Sequence, residues 1–404
     1  MLVLRLAWRN AARNLRRTAV VVTAVAVGIA GTILAMAFNY GMVVQMVETA
    51  IQTDLGHIQA HAPGFDMNPE LRIRLADGGA QVAQVLERTE GVRAFARRVR
   101  AEGLIASPRA SAGVRIVGVE PAAESQVTLI AESMTAGRYL DGDSGRVLIG
   151  EHLASRLSVS VGDKVVLSVQ DLSGELTGEA LRVAGLFKTA SRPLDESVVF
   201  LRLADSQRLL GLGGAVSEVV AVTESRRLIA PVRDALVASL SETEVRTWED
   251  LQPALVYMVE VFDEMAVAIY AAIFVAMAFG IANVLLMTIY ERTREIGILT
   301  SIGFGSRRLV TSIIIEAVLV TLLGVAVGIA LALLGVWLLR DGIDLSAYAD
   351  GLDTYGIGTR LRPALRSGEI TTPVWVAVVT AIAAAAWPAR RAVALRPAEA
   401  VRQS

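Results

Sequence analysis

Three histidines, a few turn aspartates and one acid inside an apolar run are the side chains here whose types could do chemistry. His57, His61 and His152 are the only imidazoles, and cysteine is absent. Thiol nucleophiles, disulfide frameworks and zinc-finger spacings are therefore excluded. His57-Ile58-Gln59-Ala60-His61 alternates polar with apolar, which reads as a strand with both rings on one solvent-facing side. Along an extended chain those rings lie about 13 Å apart, too far to share a metal ion. Asp141, Asp143 and Asp163 fall in Asp141-Gly142-Asp143 and Gly162-Asp163-Lys164, where turn chemistry accounts for them; calcium at Asp141 and Asp143 is the rival reading. There is no G-x-S-x-G elbow, H-E-x-x-H pair or histidine–cysteine arrangement. Nor is there a G-x-x-x-x-G-K-[ST] loop, so any ATP-hydrolysing site must lie on another polypeptide. Catalytic residues, bound cofactor and metal are all expected to be absent from this chain.

A second pattern suits docking better than catalysis. Between Glu291 and Phe304, Arg292 and Glu295 are one helical turn apart and can pair. Ile296 and Leu299, with Ile302, make an apolar stripe, and Gly303 and Gly305 permit the turn that follows. Two readings stand: a partner protein covers the stripe, or it rests on the ends of neighbouring helices. Glu316 lies about two turns into the next apolar helix, where an acid near the interface costs a few kcal/mol at most and can bind a polar group of another helix. No further acids lie within the apolar runs, which argues against a proton-relay transporter.

The elements that must position these residues are set by hydropathy. Of 404 residues 53% are hydrophobic, the mean hydropathy is +0.51, and the excess sits in four runs long enough to cross a bilayer. The expected class is membrane α-helical, with four transmembrane helices and a large α+β extracytoplasmic domain between helices 1 and 2. Residues 1–17 read as an interfacial amphipathic helix, with Leu4, Trp8, Ala11 and Leu15 in lipid and Arg5, Arg9, Arg13 and Arg16 on the flank. It is a membrane anchor, or a lever on the first span. Residues 18–47 form the first span and its extension, and 48–264 the outer domain. Then follow the second span (265–290), a cytoplasmic loop (291–308), the third span (309–339), an outer loop (340–369), the fourth span (370–389) and a cytoplasmic tail (390–404). Arginines flank the runs on one side: Arg5 to Arg17, Arg292 to Arg308, and Arg390 to Arg396. The positive-inside rule makes that side the cytoplasm, with both termini there. A cleavable signal peptide is the rival for the first span, but its apolar stretch is longer than a signal core. Gly324 and Gly328 form a small-xxx-small face, for packing within the chain or for a dimer seam.

Within the outer domain, strands are expected at Gly113–Val119, Arg146–Gly150, Lys164–Gln170, Leu181–Lys188, Ser197–Leu201 and Glu218–Val222. Helices are expected at Gly79–Thr89, Glu151–Leu157, Leu203–Leu210 and Arg227–Leu240. Strand-rich and helix-containing parts are expected to be separate. The net charge of −1 gives no field for nucleic acid.

These residues bring a family into view. The stretch Glu291 to Phe304 resembles the E-R-x-x-E-I-G-I-L-x-x-I-G signature of the MacB/FtsX superfamily of ABC permeases. Trp387-Pro388-Ala389-Arg390-Arg391-Ala392 with Leu395 to Arg402 looks like its closing P-A-x-x-A…x-P-x-E-A-L-R element, with Val401 for leucine. Gly56 to Gln59, Val147 to Ala154 and Val161 to Val165 are similar to the lipoprotein-releasing (LolC/LolE-type) permeases of that superfamily. The resemblance implies a permease in the bacterial inner membrane, dimeric with a second copy or a paralogue. Two ATPase subunits, which carry the ATP and magnesium, would dock below. It implies that the loop after the second span is a coupling helix seated in the ATPase, a role carried over to Arg292, Glu295, Ile296, Leu299 and Gly303. The implied mechanism is mechanotransmission, in which closure of the ATPases moves the outer domains. The implied cargo is a lipoprotein or another amphipathic molecule taken from the membrane lipid or the periplasm. Efflux of peptides or drugs with a periplasmic adaptor is an alternative, as is regulation of a cell-wall hydrolase.

Overall fold

The computed structural model describes residues 15–65, 70–140, 142, 144–291, 293–301 and 305–394. The chain forms two compact units. One comprises Met1–Val44, Val259–Asp344 and Arg360–Ser404; the other comprises Gln45–Met258 and Leu345–Thr359. Of the 340–369 loop, Leu345–Thr359 groups with the second unit and the flanking residues with the first. Most of the expected interfacial helix and the closing Leu395–Arg402 element lie outside the described residues.

The first unit contains most of helices α1 (Leu15–Ala50) and α2 (Pro253–Glu291), together with α3 (Thr293–Ser301), α4 (Ser306–Leu338) and α5 (Ser367–Ala394). Among the described residues, four segments are long and apolar enough to cross a bilayer: Thr18–Leu55, Pro253–Glu291, Ser306–Leu338 and Ser367–Arg391. Two of these helices outrun their apolar cores. The 39 residues of α2 reach about 58 Å at 1.5 Å per residue, against a hydrocarbon layer of about 30 Å. The sequence places the span boundaries at the first acids, Glu48 and Glu264. Glutamate is a good helix former, so α1 runs on through Glu48 and α2 begins before Glu260, with Pro253 at its first position. The core joins Val25, Ile29 and Ile33 of α1 to Phe274 and Ile281 of α2, Val325 and Ala332 of α4, and Ala377 and Ala381 of α5. Ala377, Ala381, Ala385 and Ala389 are fully buried. Their four-residue spacing puts them on one face of α5, which packs along α4.

In the second unit, β1 (Ile58–His61), β2 (Val92–Ala106), β3 (Ser111–Val119), β4 (Met134–Gly137), β5 (Arg146–Gly150), β6 (Lys164–Gln170), β7 (Leu176–Phe187), β8 (Val198–Arg202), β9 (Glu218–Thr223) and β10 (Glu244–Thr247) share one sheet. Six of them close a ring of ladders: β2 pairs β3, β3 pairs β8, β8 pairs β5, β5 pairs β7, β7 pairs β6, and β6 returns to β2. Inside the ring lie Val99, Ala101, Ile105, Ile116, Ile149, Leu167, Val183 and Val199. Strands β9, β1 and β10 extend the sheet from the first half of β2. Helices Ala80–Arg88, Pro121–Val127, Glu151–Leu157, Arg192–Ser197, Leu203–Leu209 and Ile229–Ser239 alternate with the strands. The expected separation into strand-rich and helical parts gives way to interleaving.

The phase of β2 explains its position. Ala94, Ala96 and Arg98 are buried on one face, and from Val99 the buried set shifts to Val99, Ala101 and Ile105. The first face packs with Val127, Val220 and Val222, and the second fills the ring. Successive side chains of a strand point to opposite faces, so this switch marks where β2 passes from the open sheet into the ring.

His57 and His61 correct the expectation of solvent-facing rings, because both are buried. β1 lies between β9 and β10, an interior position covered on both faces. His57 Nδ1 accepts a hydrogen bond from the Thr223 amide at 2.9 Å, and its burial pushes the imidazole below its ordinary value. The His61 ring lies 5.6 Å from that of Phe65.

Candidate functional site

The residues expected to dock a partner lie around α3. Arg292 and Gly303 fall outside the described residues, as does the expected Arg292–Glu295 pair. Glu295 is exposed on α3, whereas Ile296 is buried against Ile289 of α2 and Leu309 of α4. Ile296 therefore rests on the helix ends, and among the described side chains α3 exposes Arg294, Glu295, Ile298 and Ser301. Leu299 lies on α3, with its side chain outside the described set. Glu316 is half-buried on α4.

Gly324 and Gly328 are apart from that loop. A Cβ at Gly324 would stand 2.7 Å from the Val25 Cβ, and one at Gly328 would stand 2.8 Å from the Ala26 carbonyl oxygen and the Ile29 Cβ. Gly335 continues the line, facing Leu34. This small-residue face is occupied by α1 of the same chain, where the missing side chains let two helices approach closely in lipid.

A third site is one that the sequence reading passes over. It lies where the α1 segment meets the sheet. After Ala50 the helix widens into a π turn, Ile51–Leu55, closed by the Gly56 amide donating to the Ile51 carbonyl at 2.9 Å. Gly56 has φ +63, and a Cβ there would strike Val220, so the exit needs glycine. The carbonyls freed at this end find donors from the domain. The Leu129 amide donates to Gln52 O at 2.9 Å, Gln59 Nε2 to Leu55 O at 2.9 Å, and Arg98 Nη1 to Asp54 O.

The Asp54 carboxylate takes Arg100 Nη2 at 2.9 Å and Arg115 Nη2 at 3.0 Å. Arg98 in turn grips Glu124 with two hydrogen bonds, at 2.9 and 2.7 Å. Glu218 lies 2.8 Å from Arg100 Nε and 3.6 Å from Arg98 Nη1; the former is an ion pair by distance rather than an aligned hydrogen bond. Arg98, Glu124 and Glu218 are 1% exposed or less, a depth at which charge survives only when paired. Burial pushes the Arg98 and Arg100 guanidinium groups down, but their carboxylates more than offset it and hold both above the ordinary value. Three cations thus meet three anions. A cleft of about 240 Å³ beside them is lined by Gln59, His61, Arg100, Arg115 and Gln252, yet its guanidinium groups are already engaged by Asp54 and Glu218. The arrangement joins elements and has no nucleophile–base geometry.

One further buried acid belongs to a different cluster. Asp195 accepts from the Thr189 amide and hydroxyl, the latter at 2.8 Å, and lies 4.0 Å from His152 Nδ1. Burial pushes its carboxyl up to about 6, against the Thr189 hydrogen bonds. Asp141 and Asp143 lie outside the described residues.

Apolar helices carrying a folded domain inserted after the first of them define a polytopic membrane protein with a large domain outside the bilayer. Residues 18–239 match the MacB-like periplasmic core domain, and residues 267–397 match the FtsX-like permease C-terminal domain. The chain belongs to the MacB/FtsX superfamily of ABC-transporter permeases. Permease subunits of this family have no ATPase of their own and work with an ATPase partner, which MacB carries fused in the same chain. Among its relatives, a lipoprotein-releasing system transmembrane protein LolC from Neisseria meningitidis is 23% identical over 95% of this chain and 94% of its own length. A macrolide export ATP-binding/permease protein MacB from Nitrobacter winogradskyi is 26% identical over 82% of this chain and 52% of its own length. The solved extracellular domain of the ABC-type transporter YknZ from Gram-positive bacteria aligns with 47% of this chain and 99% of its own, at 15% identity and a TM-score of 0.35.

Proposed function

We propose that this chain is one subunit of a dimeric permease that turns ATP hydrolysis by a separate ATPase into movement of the periplasmic domains, and that the cargo is a lipoprotein released from the inner membrane. The observation that carries the reading is collinearity: the match to the LolC relative covers 95% of this chain and 94% of the relative. The arginine-rich flanks support an orientation with α3 and both termini in the cytoplasm. There Arg294, Glu295 and Ile298, exposed on α3, are the groups an ATPase would touch. Ile296 supports them from beneath. Gln45–Met258 is the part that meets cargo.

The test is depletion of the protein followed by fractionation of lipoproteins between the two membranes. Lipoproteins should accumulate in the inner membrane. Normal sorting would remove lipoprotein as the cargo and leave efflux, a second reading supported by the MacB-like match over residues 18–239. In that case the depleted cells become sensitive to exported peptides or drugs instead.

A further inference from the structure

We propose that the Asp54 cluster is the force-bearing joint of this permease: the carboxylate on the π turn after α1, held by Arg100 and Arg115 and backed by Arg98, passes movement of the first span to the periplasmic domain. The inference rests on the permease reading above and names the residues that make it work.

A helix end normally leaves its last carbonyls to solvent or to a cap. Here Gln52, Asp54 and Leu55 all give their carbonyls to donors from the domain: the Leu129 amide, the Arg98 guanidinium and the Gln59 amide. A joint built from backbone bonds alone would resist pulling along a few directions. The Asp54 carboxylate adds two guanidinium groups on different strands, Arg100 on β2 and Arg115 on β3, so displacement away from either strand stretches a charge-assisted bond. Neither strand is free to follow alone. β2 and β3 pair along Arg98–Ala106 and Ser111–Val119, and both belong to the closed ring. Arg98 and Arg100 are anchored again on Glu124 and Glu218, which ties the joint to the helix Pro121–Val127 and to β9. A load entering at Asp54 is thereby shared across the domain. The Glu48–Arg226 pair at 2.7 Å supplies the contrast: it also links α1 to the domain, but its side chains are 39% and 43% exposed, where water weakens a pair and allows it to slip.

The experiment uses the full chain with its ATPase in lipid nanodiscs. Because the chain has no cysteine, Val27→Cys on α1 and Leu176→Cys on β7, both exposed, take spin labels with no background from this chain, and the ATPase is added after labelling. Pulsed electron resonance then reads the distance distribution with and without ADP–vanadate. The parent should give a nucleotide-dependent displacement. In Asp54→Asn that displacement should be largely lost, while ATP hydrolysis continues at close to the parent rate. Asp54→Glu, which keeps the charge, should recover most of the displacement, and Glu48→Gln should leave it unchanged. Where Asp54→Asn does not fold, Arg115→Gln decides: its side chain is 40% exposed, and it should lose part of the displacement with normal hydrolysis. Full displacement in the folded Asp54→Asn or Arg115→Gln variant, or an equal loss in Glu48→Gln, overturns the joint. A parent that retains no ATPase, or shows no displacement with nucleotide, overturns the permease reading instead and removes the joint's role with it.

Discussion

The two units are held together by opposite means. In the membrane unit, cohesion comes from what is missing: Gly324, Gly328 and Gly335 expose backbone to α1, and four alanines line the buried face of α5. In the periplasmic unit it comes in part from what is added, since Arg98 and Arg100 are drawn inward with three acids, and Arg115 closes the cluster from the surface. The difference follows from solvent. Between helices in lipid there is no hydrophobic gain from burying a large side chain, so close approach decides. In a water-exposed domain the apolar core supplies most of the stability, and buried charge is tolerated only where every group has a partner.

Three substitutions probe that contrast. The largest effect is expected for Arg98→Met, which leaves Glu124 buried without its cation. Breaking such a pair typically costs about 3–5 kcal/mol, so denaturant unfolding of the periplasmic unit, followed by tryptophan fluorescence, should shift sharply to lower midpoint. If Arg98→Met is neutral, the cluster is an ornament of the core rather than a constraint on it. Next comes Gly328→Val, whose added methyl groups would overlap Ala26 and Ile29 of α1. Overpacking of this kind costs about 1–3 kcal/mol, read as a lower thermal midpoint in detergent. Gly280→Val is the control, since a Cβ there meets nothing within 4 Å, and equal losses in the two would refute close helix approach at Gly328.

The smallest effect is the pH dependence of Asp195, the buried acid held by a hydroxyl and an amide rather than a cation. Its folded value, about 6, lies above the ordinary 3.8, so between those values the folded state binds more proton than the unfolded one. Its contribution is complete below the lower value and lost as pH rises through the higher. The thermal midpoint of the parent, taken relative to Asp195→Asn, should decline over that interval. A flat difference would show that the Thr189 hydrogen bonds keep the carboxylate ionised.

Legibility in the sequence followed the same divide. The spans were visible as apolar runs, and the bounds of β5, of β6 and of the helix Glu151–Leu157 are those the alternation and turn residues indicate. β2, the longest strand among the described residues, is not among the expected strands, because Arg97, Arg98, Arg100 and Glu102 break its apolar pattern. Its buried phase also reverses at Arg98–Val99, which defeats a search for simple alternation. The joint disappeared with it: Asp54 sits on a helix extension, and its partners come from strands 44 to 61 residues away. Nothing local announces such a pairing. The histidines failed for a related reason, since His57-Ile58-Gln59-Ala60-His61 has the pattern of a half-exposed strand but is flanked on both sides by later strands. At α3 spacing leaves open whether the Ile296 stripe faces a partner or the helix ends, and Ile296 turns inward.

Closure of the six-strand ring has one further consequence. Domains tethered to a membrane meet one another at high local concentration, and a long unpaired sheet margin would invite neighbouring copies to stitch together. Ring closure withdraws most of the ladder groups from that hazard, and the strands that end the sheet path, β10 and β4, are each only four residues long. So little open margin gives a passing chain scant purchase, which lets the protein crowd the envelope without seeding aggregates.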